Sequence, residues 1–161
     1  MAEIRQITVT EYDAAMDVAW KTFLQFEGDV YTRQGVLSFQ EFIRDPILER
    51  MFLLGEYLIF GAFIEGELVG IAGIRNESHL SLLFVKKECH RMGIGSALVA
   101  FAFQYCYEEF KTDHFTVNSS PYAVEFYHSI GFCDVSEQVK KDGIIYTPMQ
   151  YYFGKESGNR K

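Results

Sequence analysis

The stretch LLFVKKECHRMGIGSAL, residues 82–98, decides the fold. An apolar strand runs into a turn with glycines at positions 93 and 95, and the pattern of a helix follows at once. The N–H groups at a helix start have no partners inside the helix, and the helix dipole is positive there, so such a junction attracts anions. Because glycine has no Cβ, Gly93 and Gly95 let a phosphate approach the main chain. The stretch therefore predicts a strand–turn–helix unit with an anion site at its turn.

This turn does not match the phosphate motifs of nucleotide-binding proteins. The pattern GxxxxGK[ST] is absent, and a GxGxxG fingerprint would need glycine where Leu98 stands. An unrelated domain that binds ATP or NAD is therefore disfavoured. Lys86, Lys87, His90 and Arg91 add positive charge beside the turn. A GxG pair alone is also typical of a tight strand–helix connection that binds nothing, so the rest of the chain has to decide.

Outward from this unit, apolar residues recur with the periods of strands and helices. Strands are predicted at residues 4–9, 57–64, 68–74, 79–85, 115–118, 132–139 and 144–153. Helices are predicted at residues 11–26, after an N-cap at Ser38, after Gly95, and from Ser120-Pro121 to a stop at Gly131. Asp142-Gly143 predicts a hairpin turn. This order predicts an α/β (α+β) domain, in which a single mixed central sheet of about six to seven strands is flanked by helices.

Composition and charge limit the class of protein. With 48% apolar and 23% charged residues, the chain of 161 residues can bury one core. Residues 1–154 are expected to form one domain and residues 155–161 a polar, frayed tail. The net charge of −7 disfavours a nucleic-acid binder. No apolar run approaches the roughly 20 residues of a membrane helix, and the N-terminus lacks the apolar core of a signal peptide, so no membrane partner and a cytoplasmic location are expected.

The cysteines and histidines indicate neither a disulfide framework nor a metal site. Cys89, Cys106 and Cys133 are irregularly spaced, odd in number and without a CxxC pair. The sequence also lacks an HExxH motif and a carboxylate cluster. We therefore expect no metal cofactor.

Two blocks of sequence at a fixed separation are more specific evidence for a protein family than the two glycines alone. The first block is Leu83-Phe84-Val85 followed by His90-Arg91-Met92-Gly93-Ile94-Gly95 and Ser96. The second block is Asn118 at a strand end, followed by Ala123, Phe126-Tyr127 and Gly131-Phe132. Together they resemble the GNAT superfamily of acyl-CoA-dependent N-acyltransferases over about residues 57–153. His90 departs from the family pattern, which usually has Gln or Arg there, and leaves open whether His90 or Arg91 faces the phosphates.

The resemblance implies an N-acetyltransferase. Its co-substrate would be acetyl-CoA, and the acetyl group would pass directly to a primary amine of a small molecule or peptide, without a covalent enzyme intermediate. The main chain of a splayed strand would hold the thioester and pantetheine. The implied cofactor-binding residues are Leu83, Phe84, Val85, His90, Arg91, Met92, Gly93, Ile94, Gly95, Ser96 and Asn118. A non-catalytic acyl-CoA-binding or sensing module on the same fold is the alternative, and a homodimer is compatible with the family.

Two side chains are implied in proton transfer. Tyr127 stands where the family places its general acid, and a phenol with a pKa near 10 is protonated at neutral pH. Its rival interpretation is a core tyrosine on the apolar stripe of its helix. His79 stands six residues before Val85, where family members often have a glutamate, and its rival is a strand-end histidine with a structural hydrogen bond. Strand alternation would put His79, Ser81, Leu83 and Val85 on one face; Glu77 is a second, weaker candidate for the base.

The acceptor is the least determined part of this hypothesis. In such enzymes it is selected by the N-terminal helices and loops, here residues 20–55, which contain no motif that identifies it. Residues 31–54 are rich in phenylalanine, which favours a packed helix pair over a lid. The net acidity slightly favours a cationic amine over a phosphorylated one.

Overall fold

The computed structural model describes residues 2–153, and the expected tail at residues 155–161 lies outside them. The helices are α1 (Tyr12–Phe26), α2 (Arg33–Arg44), α3 (Pro46–Leu53), α4 (Ile94–Phe110) and α5 (Val124–Ser129). The strands are β1 (Glu3–Gln6), β2 (Tyr57–Ile64), β3 (Glu67–Arg75), β4 (His79–Val85), β5 (His114–Ser119), β6 (Cys133–Asp134), β7 (Val139–Lys141) and β8 (Ile144–Tyr152).

The strands form one mixed sheet in the order β1-β2-β3-β4-β5-β8-β6, with β7 paired to β8 as well. Only β4 and β5 run parallel within this described sheet, and the other neighbours are antiparallel. This confirms the predicted fold class. The single strand predicted over 132–139 is wrong, because the exposed run 135–138 separates β6 from β7 and brings the strands of the described sheet to eight.

Helices cover both faces of the sheet, and each face has its own core. On the α4 face, the ring of Phe103 stacks on that of Phe115 at 3.8 Å between centroids. On the α1 face, helix α1 packs Ala15 and Ala19 against the sheet, together with residues of α2 and α3. Two layers of helix around a buried sheet are the arrangement expected for strands as apolar as β2, whose residues are all buried except the last.

The helices between residues 31 and 54 form the expected pair, but the predicted N-cap at Ser38 is wrong. Helix α2 begins one turn and a half earlier, where the Thr32 hydroxyl accepts a hydrogen bond from the Gly35 N–H at 3.1 Å. Asp45 caps α3 in the same way, and Pro46 occupies its first position. The phenylalanines after Ser38 therefore lie in the middle of a helix whose inner face is turned to the sheet.

The tip of the β7–β8 hairpin touches the start of α2. The Thr32 hydroxyl donates to the Gly143 carbonyl oxygen at 3.3 Å. A Cβ on Gly35 would collide with that same oxygen, and a Cβ on Gly143 would collide with the Thr32 hydroxyl. Glycine is thus required at both places by close approach of two main chains.

A β-bulge in β4 changes which side chains share a face. Gly73 of β3 pairs with Leu82 and Ile74 pairs with Leu80, so Ser81 has no register partner on β3. The Ser81 hydroxyl donates to the Gly73 carbonyl oxygen at 3.4 Å and lies 2.6 Å from the Tyr57 hydroxyl of the α1-face core.

The alternation predicted for β4 is therefore wrong. His79, which pairs with Arg75 opposite Tyr57, lies with Ser81 on the α1 face. Leu83 and Val85 pack with the core of the α4 face. The bulge adds one residue to β4, so the side chains beyond it point to the opposite face from the predicted one.

Candidate active site

Strands β4 and β5 pair at one end and then separate. Within the described sheet, their register holds only His79 against Thr116 and Leu80 against Val117. The Lys86 N–H donates to the Val69 carbonyl of β3 at 2.8 Å. Because hydrogen bonds alternate in direction along an antiparallel strand, the N–H groups of Leu83 and Val85 point away from β3, into the gap. The gap thus presents main-chain donors of the kind that the sequence resemblance implied.

The gap opens into a cavity of about 1050 Å³. It is bordered by α1, α2, β4, the start of α4, β5, α5 and the β7–β8 hairpin. Of the residues predicted for the site, those that border it are His79, Leu83, Phe84, Val85, His90, Arg91, Gly93, Ile94, Gly95, Ser96, Asn118 and Tyr127. Met92 does not border it, because its side chain is 57% exposed on the outside of the turn.

The two glycines of the turn are needed for different reasons. Gly93 has φ +76° as the N-cap of α4, and a Cβ there would meet nothing within 4 Å. Gly95 lies inside the helix, where a Cβ would stand 3.3 Å from Cζ of Phe126. Gly93 therefore serves the left-handed turn and leaves clear space in front of the helix start, while Gly95 lets α4 and α5 pack closely. Clear space before unpaired N–H groups is what an anionic phosphate requires.

His90 is held within the protein. Its Nε2 lies 2.8 Å from the Val85 carbonyl oxygen and so donates to it. Its ring also stacks on Phe26 at the end of α1, with 4.8 Å between centroids. Lys86 is paired with Glu67 at 3.0 Å, whereas Lys87 and Arg91 are exposed. Of these two exposed cations, Arg91 is the one that borders the cavity.

Tyr127 belongs to the core and to the cavity border at once. It is 5% exposed, and its ring packs edge-on against Phe132 with 5.2 Å between centroids. Burial, with a smaller effect from the charge of Glu27, raises the pKa of its hydroxyl well above the usual range. The phenol therefore keeps its proton at neutral pH.

His79 is neutral at pH 7. Its Nδ1 lies 2.8 Å from the Thr116 hydroxyl oxygen across the paired end of β4 and β5. Burial, and then the charge of Arg75, lower the pKa of its ring below the usual 6.5. This imidazole borders the cavity with Nδ1 engaged by Thr116, and within residues 2–153 its Nε2 has no hydrogen-bond partner. Glu77, the second candidate, lies exposed in the turn before β4 and does not border the cavity.

Two partly buried charged residues of the cavity were not found from the sequence. Glu27 follows α1, where burial raises the pKa of its carboxyl group, although hydrogen bonds from Ser120 and Tyr31 oppose the shift. Arg75 ends β3 and borders the cavity, and within residues 2–153 its side chain makes no hydrogen bond or ion pair. The only signal was weak: each is the first charged residue after an apolar stretch.

The described residues were also searched for metal-binding groups and for helices that could span a membrane. Among residues 2–153, His, Cys, Asp and Glu side chains form no group of three or more that could hold a metal ion. In the same range, no helix combines the length and apolar character needed to cross a bilayer.

Comparisons with known proteins agree on the fold. Residues 27–153 match the profile of the acetyltransferase (GNAT) domain. A GCN5-related N-acetyltransferase from Rhodopseudomonas palustris is similar with a TM-score of 0.80 at 18% identity, over 95% of this chain and 96% of that one. The PaiA N-acetyltransferase from Thermoplasma acidophilum, solved with coenzyme A, has a TM-score of 0.78 at 19% identity, over 95% and 99%.

An aminoglycoside 6'-N-acetyltransferase, also solved with coenzyme A, is similar with a TM-score of 0.64 at 12% identity, over 96% of this chain and 98% of that one. At such identities the likeness to solved structures establishes the shared fold. No curated protein matches the sequence significantly.

Proposed function

The chain belongs to the GNAT acetyltransferase family, and from that premise we propose that it transfers an acetyl group from acetyl-CoA to a primary amine. It is an acyltransferase as a member of that family. The observation that carries the proposal is the gap between β4 and β5, into which the N–H groups of Leu83 and Val85 point beside the glycine turn. Coenzyme A bound by two proteins of this fold supports an acyl-CoA as co-substrate.

The residues around the gap suit the parts of an acyl-CoA. The N–H groups from Arg91 to Ser96 would receive the pyrophosphate, because Gly93 leaves the space in front of them clear. The main chain of Leu83–Val85 would hold the pantetheine and thioester, and Asn118 would contact the same arm from β5. The co-substrate supplies an activated acyl group. The loss of one main-chain donor to a developing oxyanion costs about 3 kcal/mol in comparable sites.

Two side chains would handle the protons. Tyr127 is protonated and would donate to the departing sulfur. His79 is neutral, and its free ring nitrogen would accept the proton that the amine loses on attack. These roles need no enzyme nucleophile, and we propose none.

We also propose that the acceptor is a small molecule or a peptide amine and that the reaction involves no metal, nucleic acid or membrane. The domain of residues 1–154 would work in the cytoplasm as a monomer or homodimer.

The test is release of thiol from acetyl-CoA by the purified protein with a panel of amino acids, polyamines, aminoglycosides and peptides. Tyr127→Phe is compared with Tyr107→Phe, whose ring is 43% exposed on α4 and does not border the cavity. We expect release with a subset of amines, lost in Tyr127→Phe and kept in Tyr107→Phe. Calorimetry with coenzyme A accompanies the assay. Normal coenzyme A binding with no release for any amine would overturn the proposed transfer and favour the non-catalytic acyl-CoA module.

A further inference from the structure

We propose that the acceptor is an amino acid, whose carboxylate is bound by Arg75 and whose amino group lies next to His79. This inference rests on the proposed function and names its substrate class. It starts from the α1 face of the sheet, where Arg75, His79 and Ser81 form a polar floor to a cavity whose border includes the aromatic rings of Phe39 and Phe84.

The guanidinium of Arg75 is the unsatisfied group of this floor. Arg75 is partly buried, and its side chain has no hydrogen-bond or ion-pair partner among residues 2–153. Burying a charge without a partner is costly, so a cation in this position is typical of a site that receives an anion. Its field acts on the site, because it contributes to the lowered pKa of His79.

The other charged groups of the cavity do not neutralise Arg75. Glu27 is engaged by Ser120 and Tyr31, and its charge acts on Tyr127 instead. Lys141 and Asp142 lie exposed on the hairpin at the cavity border. One partly buried guanidinium matches a monoanion, and its planar pair of donors fits a carboxylate.

The distance between the two binding groups limits the acceptor further. Arg75 and His79 are direct cross-strand partners in the register of β3 and β4, and side chains in such positions start about 5 Å apart. Because the two side chains start from neighbouring positions, a carboxylate on Arg75 brings an amino group to His79 most directly when few bonds separate the two groups. That spacing favours an α- or β-amino acid over the side-chain amine of a protein lysine.

The walls favour an apolar side chain on that amino acid. Phe39 packs against Phe84 with 5.6 Å between ring centroids, and Phe42 also borders the cavity. Apolar surface gains free energy when it is buried against such walls. Phenylalanine, phenylalaninamide and 2-phenylethylamine are thus a matched set, in which only the group beside the amine changes.

The experiment measures thiol release from acetyl-CoA with this set, the common α-amino acids, β-alanine and phosphoethanolamine. Wild type is compared with Arg75→Gln, Arg75→Lys and Arg50→Gln; Arg50 is exposed on α3 and away from the cavity. For amino acids, we expect Arg75→Gln to lower kcat/KM roughly 10- to 100-fold, mainly through KM, as the loss of a charged hydrogen-bonded pair predicts. Arg75→Lys should recover part of this loss, and Arg50→Gln should change nothing.

The outcomes separate this inference from the function on which it rests. An effect of Arg75→Gln that is confined to carboxylate-bearing acceptors supports the inference. Equal use of the amide and the amine, equally affected by Arg75→Gln, would overturn it and leave the transferase intact. Turnover of phosphoethanolamine alone would overturn the carboxylate assignment. No release with any amine, despite normal coenzyme A binding by calorimetry, would instead overturn the proposed function itself.

Discussion

Two regions of the cavity border offer different kinds of groups. In the gap between β4 and β5 and at the α4 turn, the groups proposed to hold acyl-CoA are mainly main-chain N–H groups. On the α1 face, the groups that would meet the acceptor are the side chains Arg75, His79 and Ser81. A main-chain site depends on backbone shape and tolerates many side chains, whereas a side-chain site changes with each substitution. This difference explains why the first site can be predicted from a family pattern and the second has to be derived from this chain.

The largest effect is expected for Tyr127→Phe, because Tyr127 is the one proposed proton donor and its ring packs in the α4-face core. We expect Tyr127→Phe to lower kcat by roughly 10²- to 10⁴-fold, the range for a lost general acid. The affinity for coenzyme A should change less than about threefold, since the ring and its packing remain. Stopped assays of thiol release and calorimetry measure the two quantities. An equal loss in both would make Tyr127 a binding residue instead.

The variant His79→Gln tests the proton-accepting role proposed for the α1 face of the sheet. We expect His79→Gln to lower kcat/KM by roughly 10²-fold, because the variant keeps a hydrogen-bonding side chain but loses the base. The lowered pKa sets the sign of the pH dependence: the ring is deprotonated at pH 7 and becomes protonated, and so inactive as a base, only below its usual 6.5. Wild-type kcat/KM should therefore fall below that pH.

The pH profile of His79→Gln supplies the control for this prediction. With the same acceptor, the protonation of the amine itself contributes equally to both profiles, so the acidic fall that belongs to His79 should vanish in the variant. Thr116→Val leaves the ring but removes its hydroxyl partner, and should shift the fall without abolishing it. Identical profiles for wild type and His79→Gln would remove His79 from proton transfer.

Substitution of Gly93 can distinguish the effect of backbone strain from the loss of anion binding. Gly66 in the β2–β3 turn provides the matched control, because it too has positive φ and nothing within 4 Å of a Cβ. Alanine at either position should reduce the free energy of unfolding by about 1 kcal/mol, the cost of the left-handed conformation. Only Gly93→Ala should weaken coenzyme A binding, by about tenfold or more. Equal binding by both variants would argue against phosphate at the α4 turn.

The hydroxyl pair of Tyr57 and Ser81 gives the smallest effect. Removing either hydroxyl, in Tyr57→Phe or Ser81→Ala, should cost about 1 kcal/mol of unfolding free energy by breaking a partly buried hydrogen bond. The double variant should cost less than the sum of the two singles, which urea unfolding can measure. Strict additivity would mean that the pair does not stabilise the bulge in β4.

Sequence reasoning succeeded where the signal was local. The α4 turn, the Asp142-Gly143 hairpin and the order of the elements are each encoded in a few neighbouring residues, and the structure has them. The bulge at Ser81 was missed because it depends on the register between β3 and β4, which no residue of β4 encodes alone. The start of α2 was missed for a similar reason, since by residue type Ser38 is the better N-cap and only the contact of Thr32 with the β7–β8 hairpin favours the earlier start.

The charged residues of the cavity illustrate the same limit. Arg75 is an ordinary residue before a turn until the fold sets it opposite His79 and inside a cavity. Glu27 becomes notable only because α1 ends beside Ser120 and Tyr127. Both depend on contacts between segments far apart in sequence, where single-sequence patterns carry little information.

The contact between Gly35 and Gly143 has a consequence for how such a protein can evolve. Because neither position accepts a Cβ, helix α2 and the β7–β8 hairpin are fitted to each other at the scale of a methyl group. A descendant that inserted residues into one of these segments would have to rebuild the other in the same lineage. New acceptors are then reached more easily by exchanging single side chains on the cavity floor than by remodelling loops, so the substrate range would diversify while the outline of the fold stays fixed.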